Sequence, residues 1–240
     1  MGDEMLTLSG GLLEKMASST GFRFDLIGEY MPLFLKGTLY TIGISLFSIF
    51  IGLILGLFIG LGELIRNKLL SFPFKAYVAF IRGTPFFVQI LIVHFGVIPI
   101  FLGTTNGVVA GIVALSLNSA AYIAEIFRAG IQSIDRGQME AARSLGMTHA
   151  QAMRYVILPQ AFKRMIPPLG NEFITLIKES SLTAVIAVPE IMYWARAFNG
   201  EYYRVWEPYL MAAVIYFILT FTLSYLLSHL EKRLATDDQS

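Results

Sequence analysis

The chain contains no cysteine. Disulfides and thiolate metal sites are therefore excluded, and nothing about redox compartment follows. Charge is also scarce: 15% of the 240 residues are Asp, Glu, Lys or Arg, against roughly a quarter in soluble domains. A net charge of +1 gives no electrostatic case for nucleic acid. His94, His149 and His229 stand alone, without carboxylate or histidine neighbours at metal-ligand spacing. There is no Gly-x-x-x-x-Gly-Lys-Ser/Thr loop to cradle phosphates and no legible serine or cysteine nucleophile motif. Asp3 and Glu4 occupy the place where a secretory signal carries positive charge. Membrane targeting is thus expected from the first true span.

What the chain does have is apolar length. Apolar residues make up 55% and mean hydropathy is +0.64, so most of the sequence is read as crossing lipid. Runs of about twenty apolar residues mark spans. The stretch 37–62 carries no charged residue, and 83–124 is charge-free but too long for one helix. Pro99 and Gly103-Thr104-Thr105-Asn106-Gly107 divide it. A weaker candidate near 165–188 is interrupted by Glu172, Lys178 and Glu179. The last run starts at Pro208. The expectation is an all-α integral membrane protein of five transmembrane helices, at about 37–62, 78–99, 108–131, 165–188 and 208–230.

Lys and Arg in the connections set orientation. Arg66, Lys68, Lys75, Arg128, Lys163 and Lys232 fall with others on one side, against Lys15, Arg23, Lys36, Arg196 and Arg204. The richer side is expected to be cytoplasmic, with the N-terminus out and the C-terminus in. Residues 1–35, with Leu12, Leu13, Met16 and Phe22, form an expected extracytoplasmic or interfacial segment. Residues 36–233 form the transmembrane domain, and 234–240 a cytoplasmic tail. Trp194, Trp206 and nearby tyrosines suit the outer interface. Gly52, Gly56 and Gly60 form a ridge that lets another helix backbone approach closely.

A polar insert, 136–160, lies between spans. Arg136 to Leu145 lacks helix breakers, and Gly146 suits the left-handed position that ends a helix. Thr148 with Gln151 forms a capping-box pattern opening a second short helix, and Pro159 stops it or opens the next span. Two short helices joined at a glycine make an elbow. An interfacial helix pair lying on headgroups has the same spacing.

Ionisable groups at membrane depth are functional candidates by default. Glu125 lies seven residues after Asn118, so both project from one helix face. A carboxylate beside an amide suits an ammonium group; alternatively Glu125 pairs with Arg128 one turn on. Glu172 and Glu179 are also seven apart, with Lys178 beside Glu179, in a span that Pro167 and Pro168 precede and that a break would open to polar solutes. A gating or structural role is the expectation for this set. Arg82 joins them as a gating or structural charge: it snorkels to headgroups or caps a carbonyl, or, if the Gly83-Thr84-Pro85 turn carries it inward, binds a carboxylate.

The segment Glu140-Ala141-Ala142, three residues, Gly146, nine residues, then Val156-Ile157-Leu158-Pro159 resembles the EAA motif of ATP-binding-cassette importer permeases. Val156 replaces the isoleucine most frequent there. Tyr30 to Thr41, Arg82-Gly83-Thr84-Pro85, Asn118 to Glu125, Gly170-Asn171-Glu172 and Lys178 to Thr183 are similar to the branch importing polar amino acids such as histidine, glutamine and arginine. The resemblance spans about residues 26–233 and implies a type I ABC importer permease fold, with the elbow as coupling helices. Glu140, Ala141, Ala142, Gly146, Thr148, Leu158 and Pro159 are then the expected ATPase-coupling residues, and Asn118 and Glu125 the expected substrate-binding pair. It implies no cofactor in this chain, ATP and Mg being bound by the partner ATPase. Further implied partners are a second permease subunit, an extracytoplasmic solute-binding protein, an amino acid and membrane lipid, in a bacterial-type cytoplasmic membrane. A proton-coupled secondary transporter or channel is the other class considered, although no internal repeat is visible. A membrane enzyme lacks its catalytic constellation.

Overall fold

Helix α1, Phe24–Glu63, is 40 residues long, about 60 Å at 1.5 Å per residue. That is about twice the hydrocarbon thickness of a bilayer. The structure, a computed structural model, describes residues 21–236. Leu12, Leu13, Met16 and Lys15 of the expected N-terminal segment lie outside the described residues, as do residues 237–240 of the tail. Residues 24–35 of the expected N-terminal segment form the first turns of α1. Leu26, Tyr30 and Phe34 are buried at a spacing of four, so tertiary packing holds these turns helical across Pro32, which would otherwise weaken them.

Helix α2 (Lys68–Gly83) starts from an Asn67 cap and meets the next helical stretch at 109°. That stretch comprises α3 (Phe86–Leu91), a π-helical segment (Ile92–Val97) and α4 (Ile98–Leu102). The segment 78–99, expected as one span, is therefore broken at 83–85. Pro85 disfavours the α conformation at Thr84, which adopts ψ 148°. Helix α5 (Gly107–Gln132) follows, capped by the Asn106 side chain. Then come α6 (Arg136–Ser144), α7 (His149–Ala152), a π-helical turn (Met153–Ile157) and α8 (Leu158–Glu179). The chain tightens into a 3-10 helix over Ser180–Ile186 before α9 (Ile191–Tyr202) and α10 (Trp206–Thr236).

Helix α5 is the centre of the bundle. Its small residues Ala110, Ala114, Ser119, Ala120, Ala121 and Ala124 are buried, and α1, α2 and α8 pack around them. The Gly52-Gly56-Gly60 ridge of α1 lies against it as expected. A Cβ at Gly56 would sit 2.6 Å from Ile123 Cγ2 and 2.9 Å from the Ala120 carbonyl oxygen. Only glycine permits that approach.

Three helices, α1, α5 and α10, are long and apolar enough to cross a membrane, and the bent α2/α3–α4 pair adds a fourth candidate. Helix α10 is the least enclosed of the three, with Phe217, Ile218 and Phe221 exposed.

Candidate functional site

The elbow is built from local capping bonds. Asp135 Oδ1 accepts from Gly137 N at 2.7 Å and starts α6. Gly146, at φ +84°, ends it: Met147 N donates to Ala142 O at 3.2 Å and Gly146 N to Arg143 O at 3.1 Å. These are the two bonds of a Schellman motif, which satisfies carbonyls that a helix end leaves free. Thr148 and Gln151 then make the reciprocal capping box, as their spacing predicts.

One side-chain bond fastens this piece to α8: Gln160 Nε2 donates to Gln138 Oε1 at 3.3 Å. Just ahead of the elbow, Arg164 Nη1 donates to Ser133 O at 2.5 Å and ties α8 to the end of α5. Ala142 is buried, whereas Glu140, Ala141, Gly146, Thr148 and Pro159 are exposed and Leu158 is half-buried. At the tip Leu145 is 83% exposed.

A second polar group gathers where α2 and α3 meet. Gln89 Nε2 donates to Ile81 O at 2.7 Å and to Thr84 Oγ1 at 2.9 Å, which staples the bend. Its Oε1 accepts from Asn118 Nδ2 at 3.0 Å. Asn118 is 3% exposed and is thus committed to Gln89. Its sequence partner Glu125 is held elsewhere: Arg128 Nε donates to Glu125 Oε2 at 3.1 Å, and Arg128 Nη2 to Glu125 Oε1. Arg82 Nη1 lies 3.7 Å from Glu125 Oε2, with its guanidinium 5.5 Å from the Tyr122 ring centre. The structure therefore brings Arg82, Tyr122, Glu125 and Arg128 together, and places Asn118 in a separate amide pair.

The remaining predicted charges sit in different surroundings along α8. Glu172 is buried, Glu179 half-buried and Lys178 exposed. Among the described residues, no group of three or more His, Asp or Glu is placed to hold a metal ion.

Two residues escaped the sequence reading. Gln89 was hidden because an amide in an apolar run gives no periodic signal; its place four residues after Pro85 was the available clue. Glu190 is fully buried. It accepts from Tyr193 N at 2.7 Å, capping α9, and from the Tyr216 hydroxyl. A carboxylate after Pro189 and before an apolar helix was its signal.

The family of binding-protein-dependent transport system inner membrane components matches residues 48–236. The chain belongs to that family. It is 41% identical over 214 residues to the probable amino-acid ABC transporter permease protein YckA of Bacillus subtilis (strain 168), covering 89% of this chain and 94% of that protein. It is 40% identical over 209 residues to the arginine transport system permease protein ArtQ of the same organism, covering 87% and 95%. Among solved structures, that of an amino acid ABC transporter with histidines superposes with a TM-score of 0.84 at 45% identity, covering 88% of this chain and 99% of that one. An inward-facing methionine ABC transporter, MetNI, shares the fold with a TM-score of 0.74 at 24% identity, covering 86% and 98%. The protein is an ABC importer permease subunit, a membrane component with the all-helical type I fold.

Proposed function

We propose that this permease forms half of the membrane path of an ATP-driven amino acid importer. Five spans are counted by adding α8 with its 3-10 extension to α1, the bent pair, α5 and α10, with the N-terminus outside and the C-terminus inside. Separate ATPase subunits bind ATP and Mg and seat the elbow, with Glu140, Ala141, Ala142, Gly146, Thr148, Leu158 and Pro159 as its working residues. A second permease completes the path, and an extracytoplasmic binding protein delivers the solute. The solute passes the polar group around Glu125, while Glu172, Lys178 and Glu179 gate or brace α8.

The observation that carries this reading is the elbow: a locally capped, two-helix projection tied to α8 through Gln138 and Gln160 that offers an exposed Leu145. A hydrophobic tip on a rigid polar mount suits docking into a groove on another protein. Closure of the ATPase pair would draw two such elbows together and swing α8 with them.

The test is uptake by proteoliposomes holding the permease, its co-purified ATPase and its binding protein. Import of a labelled amino acid that requires enclosed ATP and survives a protonophore supports the proposal. Import that needs a proton gradient and no ATP would replace it with a secondary transporter.

A further inference from the structure

Glu125 attracts attention as an intramembrane carboxylate, yet its charge is already used. Arg128 grips both of its oxygens, and Arg128 Nη1 is itself fixed by Gln132 Oε1 at 2.9 Å. Bidentate guanidinium–carboxylate pairs are among the strongest polar contacts a side chain makes. An ammonium reaching Glu125 would meet a carboxylate whose charge Arg128 already balances.

Arg82 is in the opposite condition. Its guanidinium donates no hydrogen bond among the described residues. It lies over the face of Tyr122 and beside Glu125 at 3.7 Å, a distance too long for a hydrogen bond, and it also feels the charge of Glu63 at the end of α1. Its side chain is 43% exposed, so the donors are reachable. The position is also set: Arg82 ends α2 at the bend, and Gln89 ties that bend to α5 through Asn118. Glu125 lies about 10 Å of helix rise before the end of α5 at Gln132, and its side chain is 28% exposed.

We propose that Arg82 binds the carboxylate of the transported solute, with Glu125 and Tyr122 as positioning residues that aim the guanidinium. This rests on the amino acid importer reading and names the part of the solute the membrane site reads. The exchange is inexpensive in charge terms. An incoming carboxylate replaces the long contact to Glu125, and Glu125 keeps Arg128. The ammonium and side chain of the solute need no charged partner at this point, so the site selects α-carboxylates as a class.

The experiment uses the permease–ATPase complex in nanodiscs without binding protein. Thermal shift with acidic, neutral and basic amino acids, up to about 10 mM, detects any dissociation constant tighter than ~1 mM. Each amino acid is paired with its carboxamide, which keeps the ammonium and side chain but loses the negative charge. Uptake by liposomes containing the complete transporter runs in parallel. The expected result is stabilisation by an amino acid and not by its carboxamide. Arg82→Gln should weaken amino acid binding about ten- to hundredfold and abolish the discrimination. Arg82→Lys should retain part of both. Given intact uptake, the proposal is overturned in three cases: the carboxamide binds equally well, Arg82→Gln binds like wild type, or no amino acid stabilises the complex. Stabilisation by anionic phospholipid alone, lost in Arg82→Gln, would make Arg82 a headgroup anchor and also overturn it. Failure of every amino acid to be taken up would instead defeat the importer reading.

Discussion

Gln89 and Asn118 share a buried hydrogen bond of 3.0 Å that ties the break between α2 and α3 to the central helix. The same Gln89 amide holds Ile81 O and Thr84 Oγ1, so one side chain fixes both the bend and its register against α5.

Replacing Gln89 with Leu should cost about 1–3 kcal/mol, because it leaves buried polar groups without partners. Replacing Asn118 with Leu as well should recover part of that loss, since Asn118 Oδ1 already lacks a partner. Thermal unfolding of the purified complex provides the measurement. Strictly additive losses in the double variant would mean that the two amides are not coupled.

Gly56→Val should destabilise the helix pair by about 1–3 kcal/mol or more, because the obstructing Ala120 oxygen is backbone and cannot swing aside. Gly43→Ala, at a position with nothing within 4 Å, should leave the melting temperature unchanged or slightly higher. Size-exclusion profiles and melting curves compare them. Similar behaviour of the two variants would contradict the close approach of α1 and α5.

Gly146 has φ +84°, where a β-branched residue is strained by about 1–2 kcal/mol. Gly146→Val should therefore distort the elbow and leave ATP hydrolysis running with reduced import, whereas Gly146→Asn, tolerated at such helix ends, should stay near wild type. The readout is ATPase rate against uptake rate. Import by Gly146→Val at the wild-type ratio would mean that the elbow transmits nothing.

Arg164→Ala removes the bond to Ser133 O and should lower the number of solutes imported per ATP several-fold while hydrolysis continues. Lysine there keeps one donor and should restore part of the ratio. A ratio unmoved by alanine would show that coupling does not need α8 tied to the end of α5 ahead of the elbow.

Much of the fold was legible because it is encoded locally. Gly146 and the Thr148–Gln151 box lie within a few residues of the bonds they make, and the glycine ridge of α1 follows from its spacing of four. The 109° break was less legible: residues 83–124 carry no charge, and uniform apolarity has no phase from which to read a direction. Pro85 marked a turn but not its angle, which depends on Gln89 reaching back to Ile81. The start of α1 was missed for a related reason. Its first turns are held by Phe198 and Ile191, more than 150 residues away, and no local pattern reports that contact. For the candidate site, the sequence offered Glu125 two partners, Asn118 by helical face or Arg128 one turn on; the structure holds the Arg128 pair, and joins Asn118 to Gln89 across the bundle.

The glycine ridge also constrains how this subunit moves. Where α1 and α5 touch, the glycines face the Ala120 and Ala124 backbone and the tightly packed side chains of Ser119 and Ile123, which leaves little to re-pack. Such a joint has little freedom to shear, so the pair behaves as one beam running the depth of the bundle. Strain delivered at the elbow must then bypass that beam and be taken up at softer places, the kink at 83–85 and the tightened winding after Glu179. The stiffest element of the subunit thereby decides which of the others serve as its hinges.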